Sequence, residues 1–175
     1  MKKLVLSFLI GLIFLTFSST SSTYAEQKSP LGLWNLVMKL DYINFTEDSD
    51  NGIYAGIEGF YEILPNLYLG AEVGYADSIS EDDIFIPIEL NFKYALKIKP
   101  DLVLDIGAGG SYNYADDEDR GSDWVFGIQF FGDLHYMINN FFIGINVKYQ
   151  VTEHFESSSY DFNNLRLGGQ FGILF

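Results

Sequence analysis

The sequence predicts an all-β protein: a closed, eight-stranded, antiparallel up-and-down β-barrel that crosses a membrane. Three observations carry this expectation. Beyond residue 25, large apolar side chains recur at every second position in eight separate runs. The connections between the runs are alternately long and tight. The positions opposite the apolar ones are rich in glycine and polar residues. Successive side chains of a strand point to opposite faces, so alternation gives one apolar and one polar face; a helix would scatter the same residues around its circumference.

The first segment reads as an address. Lys2 and Lys3 precede a continuous apolar run over residues 4–17, then a polar, small-residue stretch ending in Thr23-Tyr24-Ala25. This is the pattern of a secretory signal peptide cleaved after Ala25, and the apolar run is too short to cross about 30 Å of hydrocarbon comfortably. The chain therefore divides into residues 1–25, a signal peptide, and residues 26–175, a barrel domain, with residues 26–30 as a periplasmic lead-in.

The first strand, residues 33–45, carries Trp34, Leu36, Met38, Leu40 and Tyr42 on one face; residues 53–64 alternate more weakly. Leu67, Leu69, Ala71, Val73 and Tyr75 then oppose Tyr68, Gly70, Glu72, Gly74 and Ala76. The clearest strand is residues 84–98, where Ile84, Ile86, Ile88, Leu90, Phe92, Tyr94, Leu96 and Ile98 oppose a mostly polar set. Pro87 within it costs a ladder hydrogen bond and predicts a bulge or a frayed position. Leu102 to Ala108, Trp124 to Tyr136, Phe141 to Tyr149 and Leu165 to Phe175 complete the eight on the same alternation.

Pro65-Asn66, Lys99-Pro100-Asp101 and Asn139-Asn140 are tight turns, whereas residues 46–51, 77–83, 115–123 and 153–163 are longer and polar. In a meander all the tight turns fall at one end and all the longer loops at the other. The apolar face belongs outside, because it carries the bulk. An eight-stranded barrel has an interior only wide enough for side chains to fill. Aromatic residues such as Trp34, Tyr42, Tyr75, Tyr94, Trp124, Tyr136 and Tyr149 fall toward strand ends, where amphipathic rings favour the membrane interfaces.

The chain ends on Phe175, with Leu167, Phe171 and Ile173 on the same alternate positions. With the signal peptide and the eight-strand meander, this ending resembles the small outer-membrane barrels of the OmpA/OmpX (OmpW-like) type. The resemblance covers the whole mature chain and is architectural. It implies a bacterial outer-membrane location and an assembly signal at Leu167, Phe171, Ile173 and Phe175, read by the barrel assembly machinery. It also implies a surrounding of outer-membrane lipid and lipopolysaccharide.

Composition narrows the function classes. Cysteine is absent, which excludes disulfides, a thiolate metal site and a lipid anchor on cysteine. A formal charge of -14 disfavours nucleic acid. The 17% aromatic content is high for a soluble domain, and a mean hydropathy of +0.09 is too low for a helical membrane protein.

The expected lumen holds Lys39, Asp41, Glu58, Glu62, Glu72, Glu89, Lys93, Lys97, Asp105, Asp133, His135, Lys148 and Arg166. Buried charges are tolerated when paired and hydrogen-bonded, so these residues read as a packed network rather than an ion path. His154 and Ser157 stand three apart and do not match the spacing of a lipid A deacylase, so no enzyme is expected. Acidic residues crowd the long loops: Glu47, Asp48 and Asp50; Asp77, Glu81, Asp82 and Asp83; Asp116, Asp117, Glu118, Asp119 and Asp123; Glu153, Glu156 and Asp161. Such loops could bridge to lipopolysaccharide through divalent cations, but none has the full spacing of a calcium loop, so no metal or cofactor is expected.

The expected protein is a monomeric, non-enzymatic envelope or surface-interaction component that meets a host or envelope protein through acidic extracellular loops. A narrow pore for small or apolar solutes and a lipid A-modifying barrel enzyme are the alternatives.

Overall fold

The structure, a computed structural model, describes residues 29–46, 51–78, 84–117, 121–153 and 162–175. The signal segment, His154 and Ser157, and most of the loop acids lie outside these residues. Eight strands follow in order: β1 (Trp34–Phe45), β2 (Asn51–Leu64), β3 (Leu67–Ser78), β4 (Ile84–Lys99), β5 (Leu102–Asp117), β6 (Gly121–Ile138), β7 (Phe141–Thr152) and β8 (Asn164–Leu174). Each pairs antiparallel with its sequence neighbours, and β1 pairs with β8 to close the barrel. Closure leaves no free sheet edge, a requirement for strands in lipid.

The tight turns form where proline and asparagine predict them. Asn66 and Asn139 take φ of 66° and 57° in the left-handed region, which asparagine tolerates better than most side chains. Register shifts between Glu62 and Leu64 and between Lys97 and Lys99 adjoin two of these turns. Pro87, by contrast, sits at neither a bulge nor a frayed end. It pairs in register with Asn113 of β5, while the β3–β4 ladder passes from Val73↔Ile88 to Ala76↔Phe85 with the rungs between them missing. Proline has no N–H to give, so the wall lacks bonding there without changing register.

The strands also run further outward than the alternation indicates. Ala115, Asp116 and Asp117 pair with Asp123, Ser122 and Gly121, so the long loop expected over residues 115–123 is mostly strand. At the outer edge of β6, Glu153 completes the pairing of Phe126: its N–H reaches the Phe126 carbonyl and its carboxylate accepts the Phe126 N–H, each at 2.8 Å.

The alternate apolar residues face outward. Leu40, Ile145 and Phe126 are 63%, 61% and 62% exposed, an apolar belt that only hydrocarbon can cover. Aromatic rings border it. Tyr112 stacks on Trp124 at 4.8 Å toward the outer end of the β5–β6 hairpin; Trp34 meets Tyr61 and Phe141 stacks on Phe171 near the periplasmic end.

The interior contains two apolar layers as well as polar side chains. Ile43, Phe45, Tyr54, Phe85, Val125 and Phe162 pack beneath the outer rim. Leu31, Phe60, Tyr68, Val103 and Phe131 pack inside the periplasmic mouth, with Met137 and Leu174 against them. Leu31 belongs to the segment ahead of β1, which is more than a lead-in. The Ser29 hydroxyl bonds to the Tyr68 hydroxyl, the Leu31 N–H reaches the same hydroxyl at 3.2 Å, and Gly32 turns at φ 69°. The segment thus folds into the mouth and plugs it.

The outward assignment has a direct test. Leu40→Arg, near the middle of β1, should lower folding stability in bilayers by about 2–4 kcal/mol, measured by urea titration of tryptophan emission. An unchanged midpoint would mean that this face does not meet hydrocarbon.

Candidate functional site

Alternation in β2, β3 and β4 directs Glu58, Glu72 and Glu89 into the lumen, and the register sets them in one row, Glu58 opposite Glu72 and Glu72 opposite Glu89. Like charges placed directly opposite repel, so such a row needs cations. They come from Lys39 on the neighbouring strand β1 and, from the far wall, Lys148 on β7 and Arg166 on β8. Lys39 Nζ lies 2.5 Å from Glu58 and 3.0 Å from Glu72. Lys148 Nζ lies 2.6 Å from Glu72 and 2.5 Å from Glu89. Arg166 pairs with Glu89 and reaches Glu72 at 3.6 Å. The Tyr54 hydroxyl donates to Glu72 at 2.5 Å, and the Arg166 guanidinium lies 4.5 Å from the Tyr54 ring centre. All of these side chains are buried, and the pairs of Lys148 and Arg166 tie one wall of the barrel to the other across its width.

Amides extend the network. Asn91 donates to Glu58 at 2.9 Å and accepts from Gln129 at 2.8 Å. Gln150 donates to Ser111 and Asn113, and Asn164 donates to Gln150 at 3.0 Å. On another side, Lys93 Nζ lies 2.9 Å from Asp105, whose Oδ2 is also 2.9 Å from His135 Nε2. The His135 ring meets Phe142 edge-on at 4.5 Å, and its other nitrogen faces Gln170 at 3.5 Å. Asp133 stands opposite Asp105 on the β5–β6 ladder, buried, and neither of its oxygens has a hydrogen-bond partner. Asp41 accepts from Asn146 at 2.8 Å.

Lys39, Glu58, Glu72, Glu89, Lys93, Asp105, Asp133, His135, Lys148 and Arg166 therefore all sit buried inside the barrel. Two of the residues expected beside them do not. Lys97 is exposed beyond the last inward-facing layer, and Glu62 is half-buried at the mouth, where its carboxylate accepts the Asn66 N–H at 2.8 Å. Both keep the inward register, opposite Tyr68 and Val103, but line the open mouth just before a register shift and a turn. Polarity alone did not single out Tyr54, Asn91, Asn113, Gln129, Gln150 and Asn164; their inward register was the available signal. Of the terminal residues, Leu167, Phe171 and Phe175 are exposed on the outer face and Ile173 is partly covered. Phe175 N–H bonds to the Trp34 carbonyl at 2.8 Å at the seam.

A pocket of about 520 Å³ opens at the periplasmic mouth, lined by Ser29, Glu62, Lys97, Met137 and Phe175 among others. The interior above it is occupied by the plug and the ion pairs.

No protein-family model matches the chain, and no curated protein matches it. Solved structures do. Neisserial surface protein A (NspA) superposes with a TM-score of 0.67 at 14% identity, covering 81% of this chain and 96% of that one. The N-terminal β-barrel domain of Pseudomonas aeruginosa OprF superposes with a TM-score of 0.59 at 14% identity, covering 81% and 97%. The chain has the fold of the small eight-stranded outer-membrane barrels.

Removing one partner of a buried ion pair leaves the other uncompensated, typically at 3–5 kcal/mol. Arg166→Met should lower unfolding stability by about that much in urea titrations, and adding Glu89→Gln should restore part of the loss. Additive losses would mean that Arg166 and Glu89 do not act as a pair.

Proposed function

We propose that this outer-membrane barrel is a non-enzymatic surface component, a rigid and plugged scaffold that presents acidic loops outside the cell. One observation supports the reading above the others: the lumen is filled from wall to wall by ion pairs and amides, with an apolar layer on either side. A filled interior favours a scaffold over a pore. The only histidine among the described residues, His135, is sealed inside the barrel, where lipid A has no access. Neisserial surface protein A is by its name a surface protein, and the same station suits this chain.

In this reading the barrel is a monomer surrounded by outer-membrane lipid and lipopolysaccharide. The assembly machinery recognises Leu167, Phe171, Ile173 and Phe175, and a host or envelope protein is met through the rim. The described part of that rim is acidic, with Asp77 and Glu153 exposed and Asp116 and Asp123 partly so.

A planar-bilayer recording tests the plugged scaffold. Protein shown to be folded by heat-modifiable migration should give no discrete conductance steps, and reproducible steps would replace this reading with a pore. Lipid A from expressing cells should keep its mass; a shifted mass would establish an enzyme.

A second reading is favoured by the missing bonding at Pro87, a weak place in the wall between β3 and β4 through which an apolar solute could leave sideways. Pro87→Val supplies the absent N–H. If the wall conducts, uptake of an apolar dye by expressing cells should fall in this variant; for a scaffold it should stay the same.

A further inference from the structure

Four cations, Lys39, Lys93, Lys148 and Arg166, face six carboxylates, Asp41, Glu58, Glu72, Glu89, Asp105 and Asp133, among the described buried residues. With His135 neutral the interior carries an excess of two negative charges. The excess is not spread evenly. Glu58, Glu72, Glu89 and Asp105 each touch a lysine or arginine, and Asp41 has an amide donor. Asp133 has only the more distant charge of Lys39: it is 2% exposed, and neither buried oxygen has a hydrogen-bond partner.

The residue facing Asp133 across the ladder is incompletely satisfied as well. Asp105 Oδ1 is also buried and unpartnered, so three carboxylate oxygens of two facing residues lack any donor. One ligand atom each from Asp105, Asp133 and His135 lie within 4.8 Å of one another. Ligands held at about 2.0–2.2 Å from a single ion are at most about 4.4 Å apart, so a small inward movement of the side chains closes the site. A buried carboxylate without a hydrogen bond is strongly disfavoured, and a cation in direct contact is what Asp133 lacks.

We infer that Asp105, Asp133 and His135 form a buried site for one divalent transition-metal ion of the Zn²⁺ class inside the barrel. Imidazole with carboxylates suits such an ion, whereas Ca²⁺ takes six or more oxygens and Mg²⁺ keeps several waters. Lys93 holds Oδ2 of Asp105 and leaves Oδ1 to the metal. His135 gives up its 2.9 Å contact with Asp105 Oδ2 and binds through Nε2, and the Gln170 amide, turned over, accepts a proton carried on Nδ1. The two charges of the ion cancel the excess of the described interior.

The test uses the protein purified folded in detergent and stripped with chelator, and a second preparation refolded from urea with the ion present, so that the closed wall cannot hide the site. Each is titrated with Co²⁺, followed by its visible absorption, and then challenged with Zn²⁺. One Co²⁺ per chain should bind and be displaced by Zn²⁺. Asp133→Asn and His135→Gln should each weaken binding by at least about 10–100-fold, the loss typical of outer-sphere partners alone. Asp123→Asn at the rim should leave it unchanged. Zn²⁺ should raise the urea midpoint of the native sequence and not that of Asp133→Asn, which being isosteric and uncharged should fold. Absence of binding in both preparations would overturn the inference, and a carboxylic-acid infrared band lost in Asp133→Asn would then identify a proton as the cation. Binding that survives Asp133→Asn would overturn it equally.

Discussion

Closure of the sheet is the constraint from which the rest of the molecule follows. In hydrocarbon no water is available to an unpaired backbone group, so strands can cross only if the last returns to the first. Here that return is the β1–β8 ladder, from Asn35↔Leu174 to Phe45↔Asn164. Closing at eight strands leaves an interior of side-chain width. The inward residues must fill that width, and the polar ones must satisfy one another there. The outward residues must be apolar over the belt. One geometric condition thus sets both patterns of the alternation.

The interior answers with a division of labour. Glu58, Glu72 and Glu89 on β2, β3 and β4 meet Lys39, Lys148 and Arg166 on β1, β7 and β8, and their pairs act as struts. Desolvating these charges opposes folding, and their mutual attraction offsets it only where geometry and extra hydrogen bonds are good. Tyr54, Asn91 and Gln129 supply such bonds. The aromatic groups near the outer rim and the Leu31 layer near the mouth keep bulk water from the pairs, which strengthens each of them. The Asp105–Asp133–His135 group departs from this order, with more acceptors than donors.

Much of this was legible in the residues, and for physical reasons. Alternation over eight runs gave the strand count, the outward face and the inward position of ten charged residues, because pleating ties side-chain direction to position parity. Lys97 and Glu62 were misplaced because they keep the inward parity but lie at the open mouth, beyond the filled interior, and parity does not say where the lumen ends. The outer ends of β5 and β6 were missed because strand beyond the lipid is wet on both faces and has no contrast to display. Phe60, Phe85, Phe131 and Phe142 all lie on the inward parity, but which of them form layers depends on the stagger between strands. The plug was missed because residues 29–33 are too few to carry a period. That Asp133 has no partner is a property of the assembled barrel alone.

The plug has a consequence for the order of assembly. The socket of Leu31 is made by Phe60 and Tyr68 on the β2–β3 hairpin and by Val103 and Phe131 on the β5–β6 hairpin. Neither hairpin alone offers it. The segment ahead of β1 is therefore among the last to find its place, docking only after strands more than seventy positions apart, such as those bearing Phe60 and Phe131, have been brought round. Until then the mouth is open, and water displaced by the forming ion pairs can still drain through it. The stopper is made before the barrel that it closes and is fitted after it.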